Sequence, residues 1–327
     1  MKKLLIVAMM LLTAAAFSQL QITKNKVMGE AAFNYIMSTV TVAGEDYDYA
    51  QMGFKVPGVD YQLEAKPNEM FKLYLYAGLA YDMSKYTVDG DAPANGDCYA
   101  SDLSFYLNPM VKGYFQNNLF AKLALPYNYN SVTDQNEDAD AIAITNMDMI
   151  LSGGFDNREI EMHALTPWDK FEKGMAFYGF YDMGMMATYD GDDADELASY
   201  FGVAGYYAHM MDNMMVKPYL VFKMGMNDKI DENKYFNIGL DFAKDFNEQM
   251  NVEANLDFGM CMLPDEDAAG EDTYNTLSVD ARMNYYVMPE LDVYAGLGTL
   301  MDLTTEDANP YYGIEIGAIY TMNLLKK

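Results

Sequence analysis

The sequence predicts an all-β chain: a single antiparallel up-and-down transmembrane β-barrel of about 14 strands, within a range of roughly 12–16. Three observations predict it. Apolar and polar residues alternate with a period of two along most of the 327 residues, as in strands with one face in lipid and one in water. Tight turns and longer acidic connections separate the alternating stretches in turn, which sets the strands antiparallel. Although 51% of residues are hydrophobic and 14% aromatic, no segment beyond the N-terminal stretch is a continuous apolar run of the roughly 18 residues a spanning helix needs.

The N-terminal stretch comes first. Lys2 and Lys3 precede an apolar run from Leu4 to Leu12, and Ala14 to Ser18 is mostly small. This is the layout of a secretory signal peptide. Cleavage after Ala16 or Ser18 fits, with Ser18 preferred, so residues 1–18 are expected to be the signal peptide and 19–327 the barrel. The apolar run falls short of the roughly 20 residues of a membrane anchor. No cysteine follows it, which argues against lipid attachment.

The strands follow. Lys26 to Thr41 puts Val27, Gly29, Ala31, Phe33, Tyr35 and Met37 on one face. Tyr47 to Leu63 is interrupted by Pro57-Gly58, where a bulge is expected, and Pro67-Asn68-Glu69 reads as a turn. Phe71 to Met83 carries an unbroken apolar face. Residues 85–101 read as an acidic loop, Leu103 to Phe115 and Leu119 to Tyr129 as strands around a turn at Gln116-Asn117-Asn118, and Ser131 to Asp140 as a second acidic loop. Ala141 to Ser152 is a strand. Residues 153–172, with a turn at Thr166-Pro167-Trp168-Asp169, read as a longer connection, because an extra strand there would break the alternation of turns and loops; a bulged extension of the preceding strand is the alternative. Met175 to Tyr189, Leu197 to Met211 (faces ambiguous) and strands starting near Val216, Phe236, Val252, Leu277 and Leu291 complete the run, with both termini on the short-turn side.

The last strand, Tyr311 to Leu325, is the clearest. Tyr312, Ile314, Ile316, Ala318, Tyr320, Met322 and Leu324 share one face, with aromatic rings near both ends. Roughly 9–11 residues at a steep tilt cross a bilayer, with aromatic rings at the interfaces. Glu315, Gly317, Tyr320 and Met322 also resemble the C-terminal sorting signal of bacterial outer-membrane β-barrels. The resemblance covers this strand alone. It departs from the usual aromatic ending by running on to Lys326-Lys327. It implies an outer-membrane barrel with short turns in the periplasm and long loops outside.

The net charge of −28, which becomes −30 if residues 1–18 are removed, excludes nucleic acid as a partner, since phosphate would be repelled. The face opposite the apolar stripes is polar and mixed. Its expected pore-lining residues are Glu30, Lys72, Tyr74, Tyr76, Asp82, Lys112, Lys122, Asp182, Lys217, Tyr219, Lys223, Asp241, Glu253, Asp257, Asp280, Arg282, Asp292 and Glu315. Opposed charges around water give a lumen with mild cation preference; the competing reading is an interior filled by salt-bridged side chains. Tyrosines such as Tyr74, Tyr76, Tyr178, Tyr219 and Tyr294 either stack on sugar rings or fill space. Cys98 and Cys261, the only cysteines, either pair across the mouth or stay as separate thiols. The acidic loops lack calcium-loop spacing, since Ala194 stands where a ligand is needed, so no metal site is expected. His163 and His209 have no accompanying nucleophile motif, so no catalytic role is assigned, and Trp168 is an interfacial anchor or a packing residue.

These observations predict an outer-membrane pore for passive diffusion of small hydrophilic solutes or cations. It is not an enzyme, needs no cofactor and contacts outer-membrane lipid. The location is the outer membrane of a bacterium with two membranes, after signal-peptide cleavage. Association of several copies is suggested by analogy alone. The alternative function is a non-conducting surface protein, adhesive or structural, that displays acidic loops.

Overall fold

The computed structural model describes residues 21–42, 45–88, 98–134, 142–160, 165–167, 171–189, 192–193, 197–226, 233–264, 271–305 and 308–325. They form one closed antiparallel barrel of 14 strands. In order these are β1 Gln21–Val42, β2 Glu45–Asn68, β3 Phe71–Val88, β4 Cys98–Tyr114, β5 Leu119–Ala124 with Tyr127–Asp134, β6 Ile142–Asp156 and β7 Glu172–Tyr189. Then come β8 Ser199–Met211, β9 Met214–Gly225, β10 Lys234–Asn247, β11 Met250–Pro264, β12 Glu271–Met288, β13 Leu291–Asp302 and β14 Tyr311–Asn323. Each strand pairs with its sequence neighbours. β14 also pairs with β1, from Lys26↔Asn323 to Met37↔Tyr312, so no edge is left exposed.

Two features come from proline and glycine. β5 is one strand although its ladder is broken in the middle. The register against β4 is the same before and after Leu125-Pro126, and the register against β6 is too. The gap arises because Pro109 and Pro126 have no N–H to donate; their carbonyls still accept, from Leu125 and Asp148. The expected irregularity at Pro57-Gly58 is present as a register shift between Lys55 and Val59.

The short turns are closed by side chains. Asn68 Oδ1 accepts from the backbone N–H of Met70 and Phe71 at 2.9 and 3.0 Å, and Asn247 Oδ1 accepts from Gln249 at 2.8 Å, as asparagine turns do. At the other end of the barrel Asp302 accepts from the Thr305 hydroxyl at 2.6 Å and from the Thr304 N–H at 2.8 Å. These donors, the Thr305 hydroxyl first, hold its carboxyl below the usual carboxylate range.

The strands overrun the sequence-based bounds. β3 continues to Val88 and β4 begins at Cys98, so much of the expected loop 85–101 is strand. β5 runs on to Asp134 into the expected loop from Ser131, β6 to Asp156, and the turn after β2 falls at Glu69-Met70. Beyond a bilayer, an extended ladder needs no apolar face, so polar residues there carry no period-two signal. Among the described residues between β6 and β7 there is no spanning strand. Glu159–Ile160 adds a two-residue ladder against β7, and Asp192–Asp193 does the same after it. Residues 1–20, His163, Trp168 and most of the acidic loops lie outside the described residues.

The outer face is an apolar belt. Leu297, Phe177, Ile316, Leu79, Leu151 and Met283 are all exposed on it, Leu297 at 68%. On β14, Tyr312 and Tyr320 bracket the belt. Their eight-residue separation corresponds to about 20 Å of height at a strand tilt near 40°. β8, whose faces the sequence left ambiguous, turns Phe201 and Tyr207 outward, while Gly202, Ala204 and Ala208 are buried. His209 stands outside, stacked on Tyr207 with ring centroids 6.1 Å apart.

Candidate functional site: the inner wall and its short-turn mouth

Period-two alternation sends one residue in two to the inside, and the ladder register carries that phase round the ring. Lys72 faces Lys112, Lys112 faces Lys122, Asp182 faces Tyr200, Lys217 faces Asp241, Glu253 faces Arg282, and Glu315 faces Asn34. Tyr74, Tyr76, Asp82, Tyr219, Lys223, Asp257, Asp280, Asp292 and Glu30 fall in the same phase. The structure thus places all eighteen residues singled out from the sequence on the inner face.

It brings many of them together in pairs. Lys55 Nζ meets Glu30 Oε2 at 2.7 Å, and Lys217 Nζ meets Asp241 Oδ2 at 2.9 Å. Arg282 lies 3.6 Å from Glu253 and 3.8 Å from Asp292, and its guanidinium stacks 3.4 Å from the centre of the Tyr294 ring. The Tyr294 hydroxyl is within reach of Glu30 Oε1 at 2.6 Å and Glu315 Oε1 at 3.0 Å. Tyr219 donates to Asp257, and Asn255 Nδ2 donates to Asp241 Oδ1 at 2.7 Å.

Two of the inner tyrosines lie against the wall. Tyr219 and Tyr294 lie across glycines of the neighbouring strand. A Cβ at Gly239 would collide with the Tyr219 ring, and one at Gly317 would come within 2.5 Å of Tyr294 Cζ. Glycine at these two positions lets the rings lie flat on the wall. The inner hydrogen bonds and ion pairs described above join strands at most two apart. A cavity of ≈ 950 Å³ is lined by Lys217, Asp241, Glu253, Asp280, Arg282 and Glu315 among others.

Between β6 and β7 the described residues 157–160, 165–167 and 171 sit at the short-turn mouth. Asp245 of β10, fully buried, accepts the backbone N–H of Leu165 at 2.6 Å and of Thr166 at 3.2 Å on Oδ2. Its Oδ1 accepts the Thr166 hydroxyl at 2.7 Å. Asn251 Nδ2 donates to Thr166 Oγ1 at 3.1 Å, and Asn284 Nδ2 to Asn251 Oδ1 at 2.7 Å. Phe171 is fully buried against Ala208, Met215 and Ala243. At the start of the segment, Asp156 pairs with Lys112 and, at 2.9 Å, with Arg158, and Arg158 reaches Glu172 at 3.2 Å. A polar carboxylate latch therefore holds Leu165 and Thr166, and an apolar anchor holds Phe171, at the barrel end.

Sequence reasoning missed this latch. Asp245, Asn251 and Asn284 sit in the inward phase within three or four residues of a short turn, which is the one signal that could have marked them. The sequence leaves open whether Cys98 and Cys261 pair. Cys261 is a free thiol, and its strand β11 is seven places from β4, where Cys98 begins, in a ring of fourteen. Those strands stand on opposite walls, about 28 Å apart by strand spacing and tilt, against the roughly 7 Å limit between Cα atoms of a disulfide.

No family model matches the chain, and no curated protein matches it. Among solved structures, a TodX monoaromatic hydrocarbon channel mutant lacking S2 and S3 aligns with a TM-score of 0.52 at 8% identity, over 95% of this chain and 92% of its own. A Pseudomonas aeruginosa FadL homologue aligns over 91% of this chain and 90% of its own, at 9% identity and a TM-score of 0.47. Pseudomonas aeruginosa OccK7 aligns over 92% and 99%, at 8% identity and a TM-score of 0.45. At such identities the likeness is one of fold: this chain has the architecture of a bacterial outer-membrane β-barrel.

Proposed function

We propose that the protein is an outer-membrane channel for small hydrophilic solutes, mildly cation-preferring, narrowed at its short-turn mouth by the segment that carries Leu165, Thr166 and Phe171. It would reside in the outer membrane of a bacterium with two membranes once residues 1–18 are removed. One observation carries this reading. The wall is polar inside and apolar outside, and its named ion pairs run along the wall between strands at most two apart. A 14-stranded wall is about 28 Å across at the backbone, wide enough for water after the side chains are counted. Inner carboxylates outnumber inner cations, which favours entry of cations. No reaction is assigned.

Planar-bilayer recording of the detergent-folded chain tests the proposal. The expected result is discrete current steps, with a reversal potential displaced toward that of potassium in a potassium chloride gradient. Inserted protein that gives no steps would replace this reading with the alternative, a non-conducting surface protein. Steps with a displacement toward chloride would remove the cation preference alone.

A further inference from the structure

Three lysines stand abreast on the inner wall near the short-turn mouth. Lys72 of β3 faces Lys112 of β4, Lys112 faces Lys122 of β5, and Ser152 of β6 is next in the row. Directly opposed residues on paired strands have Cβ atoms about 5 Å apart, and like charges there are destabilising. Asp156 pairs with Lys112 but also serves Arg158. Among the described residues, Lys72 and Lys122 have no carboxylate partner. Their contacts are with ring faces, Lys72 over Tyr114 at 5.0 Å and Lys122 over Tyr178 at 6.0 Å. Of the other inner cations, Lys55, Lys217 and Arg282 each lie on an acid, while Lys223 lies over the Tyr200 and Tyr235 rings at 4.6 Å. In a chain with 49 acidic and 21 basic residues, three lysines facing one another in a row with one carboxylate, Asp156, among them are a rare concentration of positive charge.

A second observation falls at the same place. Ser152 is 7% exposed, and its Oγ has no hydrogen-bond partner. A buried hydroxyl left without a partner costs free energy. The row therefore has two deficits: positive charge without compensation and an unused donor. A single oxyanion meets both. Its oxygens can take charge-assisted bonds from the ammonium groups and one from the serine, and the rings beneath the lysines hold the ammonium groups in place beforehand.

We propose that Lys72, Lys122 and Ser152 form an anion station, which binds the carboxylate or phosphate oxyanion of a small solute inside an otherwise cation-favouring lumen. This rests on the channel reading only in that the lumen must admit water and small solutes. Lys112 sets the charge of the row while remaining held by Asp156.

Inorganic phosphate is the probe. It is titrated calorimetrically, at low chloride, into the full chain folded in detergent, with heat-modifiable gel migration confirming that each variant folds. Binding by the wild type should weaken about tenfold on loss of either lysine, the equivalent of one charge-assisted bond, and beyond detection in Lys72→Met/Lys122→Met. Ser152→Ala should weaken it about threefold. Lys66→Met, exposed at the end of β2, should leave it unchanged. Without phosphate, the double lysine variant should unfold at a higher temperature than the wild type, because the repulsion within the row is relieved; phosphate should raise the midpoint of the wild type alone. Equal binding by wild type and double variant, or a lowered midpoint in the double variant, overturns the station. Because the titration needs no conduction, phosphate binding by a barrel that passes no current would sink the channel reading and leave the station standing. Current without phosphate binding would do the reverse.

Discussion

Replacing Asp245 with alanine should release residues 157–171 from the mouth. The carboxylate accepts three hydrogen bonds from the segment, at 2.6, 3.2 and 2.7 Å. A hydrogen bond to a charged group contributes about 1.5–3 kcal/mol net. The three share one carboxylate and are not additive, so about 4 kcal/mol is a fair total. That is a factor of about 10³ in the ratio of docked to undocked segment. Phe171 and its pocket remain, so undocking should be frequent rather than complete. Arg158 and Lys170 lie in the segment and Lys173 just after it, so limited trypsinolysis of the detergent-folded protein reports its release. Cleavage between β6 and β7 should rise at least tenfold, and single-channel conductance should rise with it as the mouth widens. Thr166→Val keeps the side-chain volume and removes one donor to Asp245 and one acceptor for Asn251. It should give an effect in the same direction but smaller, and it serves if the alanine variant fails to fold. If both variants are cut at the wild-type rate and conduct like the wild type, the latch does not hold the segment, and the mouth is shaped by something else.

Two other outcomes follow from the wall. Ile316→Lys places a charge at the middle of the lipid-facing stripe of β14 and should cost about 2–4 kcal/mol, read as a lower folded fraction in lipid vesicles; the polar change Gly313→Ser, on the inner face of the same strand, should be tolerated. Equal losses would mean that the stripe does not face lipid. Cys98 and Cys261 should both react with a thiol-specific reagent without prior reduction, giving two adducts by mass spectrometry; an unreactive pair that becomes reactive after reductant would contradict the strand order.

Much of the wall was legible in the sequence. On β14, Ile314 and Ile316 against Glu315 and Gly317 fixed which side meets lipid, because in a strand the sorting between lipid and water is decided residue by residue. Asx turns at Asn68 and Asn247 were legible for the same local reason. The extents of β3, β4 and β5 were not, since a ladder standing in water alternates in nothing. The break at Leu125-Pro126 disguised one strand as two elements, although the register across it never shifts.

The pairing of inner charges was not legible either. Whether Lys217 meets Asp241, or Lys122 meets only a ring face, depends on which strands lie side by side once the ring closes. Nor could the sequence reveal that Asp245 takes up Thr166 from 79 residues earlier, or that Cys98 and Cys261 stand on facing walls. By itself the sequence determined a closed, two-faced wall, because faces and turns are set by neighbours along the chain. The tertiary structure alone decided what crosses the lumen and which charges remain uncompensated, because those contacts exist only between segments that the ring brings together.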